Sequence, residues 1–210
     1  DTTWTSEGSV TAPYELDNLN ADTRYYIRIR SNCGSEYSNW VTLNVRTACS
    51  DITIPYMQNF DDAPASGSGN MVTCWTRNTN NTSTAYPYTS SSQHHSGNYS
   101  VYFYGTSTYY SYLASPRFAD EVDMDNLQIS FWAYKTSAAY NIQVGIMSDP
   151  DDYNTFVQIG STISPSATST WELFEVNTDS YTGNGRYVAF RIPANITSYM
   201  YIDDINIDVI

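Results

Sequence analysis

The run Leu127-Gln128-Ile129-Ser130-Phe131-Trp132 places an apolar side chain at every second position, and Asn141-Ile142-Gln143-Val144-Gly145-Ile146 repeats the pattern. Successive side chains of an extended chain point to opposite faces, so this spacing predicts strands with one buried face. Arg24-Tyr25-Tyr26-Ile27-Arg28-Ile29-Arg30 and Val101-Tyr102-Phe103-Tyr104 alternate in the same way. Further strands are expected over residues 41–45, 156–159, 171–176, 187–192 and 200–207, each bounded by Gly, Pro, Asn, Asp or Ser clusters. No window has helical spacing. Strands recurring about every 10 to 15 residues give the rhythm of an all-β sandwich or jelly roll.

Composition agrees with that reading. The 210 residues include 20 Tyr, and charged residues make up only 15%, against about 25% in an average soluble domain. Ser, Thr and Asn together number 68. Hydroxyls and amides on the surface, with β-branched and aromatic residues inside, suit strands better than long helices. The expectation is an extracytoplasmic β-protein.

The net charge is −13, from 22 Asp and Glu against 9 Lys and Arg. Sequence-independent binding to nucleic acid needs a basic face to neutralise phosphates, and this chain carries a single lysine, Lys135, with scattered arginines. Nucleic-acid partners are therefore excluded, as is attraction to an anionic bilayer. No run of 18 apolar residues predicts a membrane-inserted helix.

A boundary falls near Thr47-Ala48-Cys49-Ser50, giving a first domain over residues 1–48 and a second over 49–210. The local charge is −2 before it and −11 after it. In the first part, Leu16-Asp17-Asn18-Leu19-Asn20-Ala21-Asp22-Thr23-Arg24-Tyr25 reads as a turn followed by a strand, with Tyr25 six positions after Leu19. This resembles the E–F corner of a fibronectin type III domain, in which the tyrosine hydroxyl bonds back to the turn and the leucine plugs the core. Only 13 residues precede Tyr14, so the resemblance implies a partial sandwich, the C-terminal part of something longer.

Residues 49–210 carry seven strings in order. They are Ile54-Pro55-Tyr56-Met57-Gln58-Asn59-Phe60-Asp61, Cys74-Trp75, Ser111-Tyr112-Leu113-Ala114-Ser115-Pro116, Ile129-Ser130-Phe131-Trp132-Ala133-Tyr134, Val144-Gly145-Ile146-Met147-Ser148-Asp149-Pro150, Tyr187-Val188-Ala189-Phe190-Arg191 and Tyr201-Ile202-Asp203-Asp204-Ile205. Together they resemble the cleaved-adhesin (choice-of-anchor J) domain of gingipain-type bacterial surface proteins. That family implies a jelly-roll sandwich related to MAM and galactose-binding-like modules. It also implies a non-catalytic, secreted or cell-surface adhesion function directed at a host protein or glycan, carried by a monomeric module of a longer chain. An accessory or spacer module of a larger secreted hydrolase is the alternative.

Chemistry-bearing residues are few. The only histidines, His94 and His95, are adjacent in a Ser-rich stretch and read as a solvated loop, since neighbouring side chains on an extended chain diverge. Most acids sit in turns, where Asp bonds its own backbone. Calcium takes six to eight oxygen ligands. The resemblance places one structural calcium on Asp61 and on Asp203 and Asp204, with the turn Ser96-Gly97-Asn98 adding carbonyls. Period-two alternation lets one of Asp203 and Asp204 face inward with Ile202, and that is Asp204. The alternative is a set of solvent-facing turn acids.

Tyr99, Tyr102, Tyr104, Tyr109, Tyr110 and Tyr112 crowd into 14 residues. An exposed aromatic ring offers a flat face to sugar C–H groups. Tyr86 and Tyr88, flanking Pro87, and the pair Tyr109 and Tyr110 lie in loop-like stretches and are the candidate ligand-binding aromatics. The alternative is that half of the tyrosines point inward and the rest cover the outer sheet.

Of the three cysteines, Cys33 and Cys49 lie at opposite ends of a strand of some seven residues, on the order of 20 Å apart at about 3.3 Å each. That exceeds the reach of a bridge. Cys49 with Cys74 is the expected disulfide, three buried thiols being the alternative.

Overall fold

A computed structural model describes residues 4–79, 87–106, 108–193 and 197–210. The chain divides into two compact units, Asp1–Cys49 and Ser50–Ile210.

In the first unit, β1 (Arg24–Ile29) pairs antiparallel with β2 (Val41–Arg46). The register sets Tyr25, Ile27 and Ile29 opposite Val45, Leu43 and Val41, so one face of the ribbon is apolar. Ile29, Val41 and Leu43 on that face are each more than half exposed. The corner bond is present, since the Asn20 amide donates to the Tyr25 hydroxyl at 2.8 Å. Leu19 is half-buried.

The second unit is a jelly-roll sandwich. One layer is a six-stranded sheet in the order β11 (Glu172–Asn177), β8 (Leu127–Lys135), β13 (Ser198–Val209), β6 (Ser100–Gly105) and β5 (Tyr88–Ser90), with β3 (Tyr56–Gln58) also paired to β13. The other is five-stranded, in the order β10 (Val157–Ile163), β9 (Ile142–Met147), β12 (Tyr187–Ile192), β7 (Ser111–Ala114) and β4 (Thr76–Thr79). Ile129, Phe131, Val101, Phe103 and Ile202 from the first layer meet Val144, Ile146, Leu113 and Phe190 from the second in one buried core. Phe131 meets Phe190 edge to face at 5.0 Å.

The alternating strands appear where periodicity predicts them, while four others escape it. β3, β4 and β5 have three or four residues each, too few to show a period, and β4 is Thr-Arg-Asn-Thr without an apolar residue. All four residues of β7 are buried, because both of its faces are covered. Tyr112 and Ala114 on its outer side lie beneath a second cluster with Met147, Phe156 and Ala189. Among the described residues the one short helical segment is a 3-10 turn at Tyr153–Thr155.

Candidate ligand-binding face

The sheet register builds an aromatic row across the outer face of the six-stranded sheet. On β6, Val101 and Phe103 enter the core, so Tyr102 and Tyr104 stand outward. Tyr102 is directly opposite Tyr88 of β5 and Tyr201 of β13, and Tyr201 is opposite Tyr134 of β8. Glu172 of β11 pairs with Ala133, which brings the preceding Trp171 alongside Tyr134. Ring centroids confirm the sequence of contacts. Trp171 to Tyr134 is 5.4 Å, Tyr134 to Tyr201 is 5.8 Å, Tyr201 to Tyr102 is 4.8 Å and Tyr102 to Tyr88 is 5.2 Å. At about 4.8 Å per strand the row spans roughly 19 Å. A second row runs from Tyr104 to Tyr199 at 5.0 Å and on to Tyr140 at 5.0 Å. Tyr88, Tyr102 and Tyr201 have raised pKa values, chiefly because neighbouring rings remove water from the phenols. They stay neutral donors across the physiological range.

Beside this row a loop is clamped to the sheet. The strand β13 carries a bulge, its partners shifting between Asp203, opposite Trp132, and Asn206, opposite Ser130. One extra residue resets the inward phase from Ile202 to Ile205. Asp204 absorbs the kink at φ 46° and is only partly buried, whereas Asp203 is fully buried. The expectation that Asp204 faces inward with Ile202 is therefore wrong, because simple alternation does not survive a bulge.

Asp203 is covered by the 93–98 loop rather than by the core. Its carboxylate accepts from the His95 amide at 2.7 Å, the Ser96 amide at 3.2 Å and the Asp204 amide at 2.8 Å. Burial pushes its pKa up to about 6, against the lowering effect of those N–H donors. Asp204 accepts the Ser96 hydroxyl at 2.5 Å and meets His95 Nδ1 at 2.5 Å. The His95 ring stacks on Trp132 at 3.8 Å. His95 is thus an exposed loop residue, as expected, whose ring is nonetheless held against the sheet. Ser96 Oγ donates to Asp204 and not to His95, so the trio is not ordered as a nucleophile beside its base.

Asp61 holds the same loop from the other side. Its Oδ1 accepts from the Asn98 amide at 2.6 Å and the Tyr99 amide at 3.1 Å. Gly97, at φ 55°, makes that approach possible, since a Cβ there would lie 1.6 Å from Asp61 Oδ2. The donors are of the oxygen type that a hard cation takes. The carboxylates of Asp61, Asp203 and Asp204 are, however, turned to N–H and O–H donors of the loop. Among the described residues these three do not gather ligand oxygens within 4.8 Å of one another.

The remaining sequence candidates separate. Tyr88 begins β5 and joins the aromatic row instead of lying in a loop. Tyr109 and Tyr110 are half-buried in the 106–110 loop, and Tyr110 stacks on Tyr153 at 3.8 Å beside the opposite sheet. Tyr86 lies outside the described residues. Cys49 and Cys74 are disulfide-bonded, and Cys33 is a free, exposed thiol. Tyr134, Trp171, Tyr199 and Tyr201 were not candidates on sequence grounds, because only pairing register reveals that the first, second and fourth share a row with Tyr102 and that Tyr199 shares one with Tyr104.

Solved structures offer parallels to this architecture. The K2 cleaved adhesin domain of Lys-gingipain superimposes with a TM-score of 0.56 at 15% identity, covering 73% of this chain and 99% of that domain. The chain shares the cleaved-adhesin fold. The K1 cleaved adhesin domain from Porphyromonas gingivalis W83 gives 0.52 at 19% identity, covering 74% of this chain and 98% of its own. The CBM22-1 xylan-binding domain from Paenibacillus barcinonensis Xyn10C gives 0.50 at 12% identity, over 73% and 92%. No protein-family model and no curated protein matches the sequence. At these identities the likeness extends to the cleaved-adhesin fold and not to the ligand, because function resides in surface residues that vary independently of scaffold.

Proposed function

We propose that residues 50–210 form a non-catalytic adhesion module of a secreted or cell-surface protein, which takes a glycan chain along the aromatic row of its six-stranded sheet. The observation that carries this reading is the alignment of Tyr134, Tyr201, Tyr102 and Tyr88, one on each of four strands, with Trp171 just before β11. Partly exposed rings at Trp171, Tyr201, Tyr102 and Tyr88, with the buried Tyr134 between Trp171 and Tyr201, suit the C–H faces and hydroxyls of successive sugars. A glycan array probed with the full chain tests it. Binding that weakens at least tenfold in Trp171→Ala supports the reading, and absence of binding to any glycan overturns it. Binding confined to host proteins stripped of glycan would make the row a protein-docking surface.

The expected calcium belongs to the same proposal, with Asp61, Asp203, Asp204 and Asn98 as its ligands. In support, Asp61 and Asp203 already grip one loop between them. A bound cation would add to a closure that N–H donors make on their own. The fibronectin-like reading of residues 1–48 draws on the Tyr25 corner bond. A second functional reading, an accessory module of a larger secreted hydrolase, draws on the likeness to the xylan-binding domain. Preference of the array for plant-wall polysaccharides over host glycans would favour it.

A further inference from the structure

The second unit has five cationic side chains, and four are spent inside the protein. Arg77 donates to the carbonyls of Ser68, Gly69 and Pro87 at 2.9 to 3.1 Å. Arg117 is paired with Asp51 and Asp120, and Arg186 donates to the carbonyls of Phe118 and Ala119. Lys135 donates to Ala138 O at 3.2 Å and Ser164 Oγ at 2.9 Å.

Arg191 differs. On β12, Val188, Phe190 and Ile192 enter the core, so Arg191 stands on the outer face of the five-stranded sheet, opposite Gln143 and Tyr112. Its Nε donates to Gln143 Oε1 at 2.8 Å. Among the described residues neither terminal nitrogen has an acceptor, and no carboxylate lies within ion-pair distance. The guanidinium lies 3.9 Å from the Phe156 ring centroid and 5.0 Å from that of Tyr153. Desolvation by these rings lowers its pKa. Four N–H donors of a half-buried planar cation are thus left unspent.

The neighbouring acids do not compensate, because they are turned to their own loop. Asp149 accepts the Asp151 amide at 2.9 Å, and Asp152 accepts both the amide and the side-chain nitrogen of Asn154 at 2.9 Å. Tyr153, from the same loop, stacks on Tyr110 at 3.8 Å with 15° between planes, setting a half-buried aromatic pair beside the cation.

We propose that Arg191, oriented by Gln143 and lying against Phe156 and Tyr153, with Tyr110 stacked on Tyr153, binds the carboxylate of an acidic sugar residue. The planar fork of an arginine matches the two oxygens of a carboxylate, which a tetrahedral phosphate or sulfate fits less well. The aromatic pair favours a pyranose ring over an acidic peptide side chain, which offers no ring to stack. The charge of −11 in this part of the chain favours one carboxylate on a largely neutral saccharide over a polyanion. The subsite rests on the glycan-binding reading but lies on the opposite sheet from the aromatic row.

Isothermal titration of the full chain with 4-O-methylglucuronosyl-xylotriose and with 3′-sialyllactose, each carrying one carboxylate, against xylotriose and lactose, tests it. At least one acidic sugar should bind about tenfold or more tightly than its neutral counterpart. Arg191→Gln should abolish that difference, and Arg191→Lys should restore it only in part, since an ammonium lacks the fork. Equal binding of acid and neutral forms by the unaltered protein overturns the proposal without recourse to a variant, as does failure of both acidic sugars to bind. Acid preference that survives Arg191→Gln but disappears in Trp171→Ala moves the carboxylate to the aromatic row, overturning the subsite while leaving the glycan-binding reading intact. Tighter binding of a glutamate-rich peptide than of either sugar overturns the choice of occupant.

Discussion

Tyr102 on β6 stands directly across from Tyr201 on β13, their ring centroids 4.8 Å apart on the outer face of the six-stranded sheet. Cross-strand aromatic pairs contribute about 0.5–1.5 kcal/mol beyond the area they bury. This pair also lies inside a row that ends at Tyr88 and, at the sheet edge, at Trp171. Stability and recognition should therefore separate along the row. Tyr201→Ala is expected to cost on the order of 2–4 kcal/mol in denaturant unfolding. Trp171→Ala, at the sheet edge, should cost under about 1.5 kcal/mol and act mainly on glycan affinity. Equal losses of stability in the two variants would show that the row is purely structural.

Gly97→Ala should release the clamped loop. A methyl at that position collides with the Asp61 carboxylate and is also strained by the positive φ. The expected loss is roughly 2–3 kcal/mol, with new protease cleavage between residues 93 and 98. An unchanged melting temperature and cleavage pattern would refute the proposed contact.

Asp203 predicts a pH dependence for the metal-free protein. Its folded pKa, raised to about 6, lies above that of an unfolded aspartate, about 3.9. Between these values the folded state holds more protons than the unfolded one, so this group makes stability fall as pH rises from about 4 to about 6, and then level off. Calcium at the same carboxylate would favour its charged form and oppose the fall. Unfolding free energies measured across this range in EDTA, and again with calcium, check both statements. A flat profile in EDTA contradicts the burial of Asp203. Identical profiles with and without calcium contradict the proposed ion.

Ser111→Ala should be neutral or stabilising by up to about 1 kcal/mol. The Ser111 hydroxyl is fully buried and has no hydrogen-bond partner among the described residues. Removing an unsatisfied polar atom recovers its desolvation cost. A loss above about 1 kcal/mol in chemical denaturation would mean that the hydroxyl has a partner in solution.

The longer alternating strands were legible because each carries its own period. β8 announces itself through Leu127, Ile129 and Phe131, and β6 through Val101 and Phe103. β4, wholly polar and four residues long, carries no such signal and is defined only by its pairing with β7. The same limit applies at the clamp. Alternation turns Asp204 inward, but a one-residue bulge in β13 passes that phase to Ile205 while the 93–98 loop buries Asp203 from outside, and nothing in the string Ile202-Asp203-Asp204-Ile205 marks the bulge. Tyr88 and Tyr110 read alike as loop aromatics in sequence, yet the fold sends them to opposite sheets.

Taken alone, the amino-acid sequence determined the all-β class, the break near Cys49, the acidic character of the second part and the inward set of its core strands. These follow from local period and composition, which need no knowledge of which strand lies beside which. Tertiary structure decided which tyrosines share a row, that Asp203 is the buried acid and that Arg191 is left with unspent donors. Each of these depends on register between strands distant in sequence, such as Arg191 opposite Gln143 and Tyr201 opposite Tyr102. Register arises from the packing of the whole sandwich, where a shift of one residue turns every side chain to the other face.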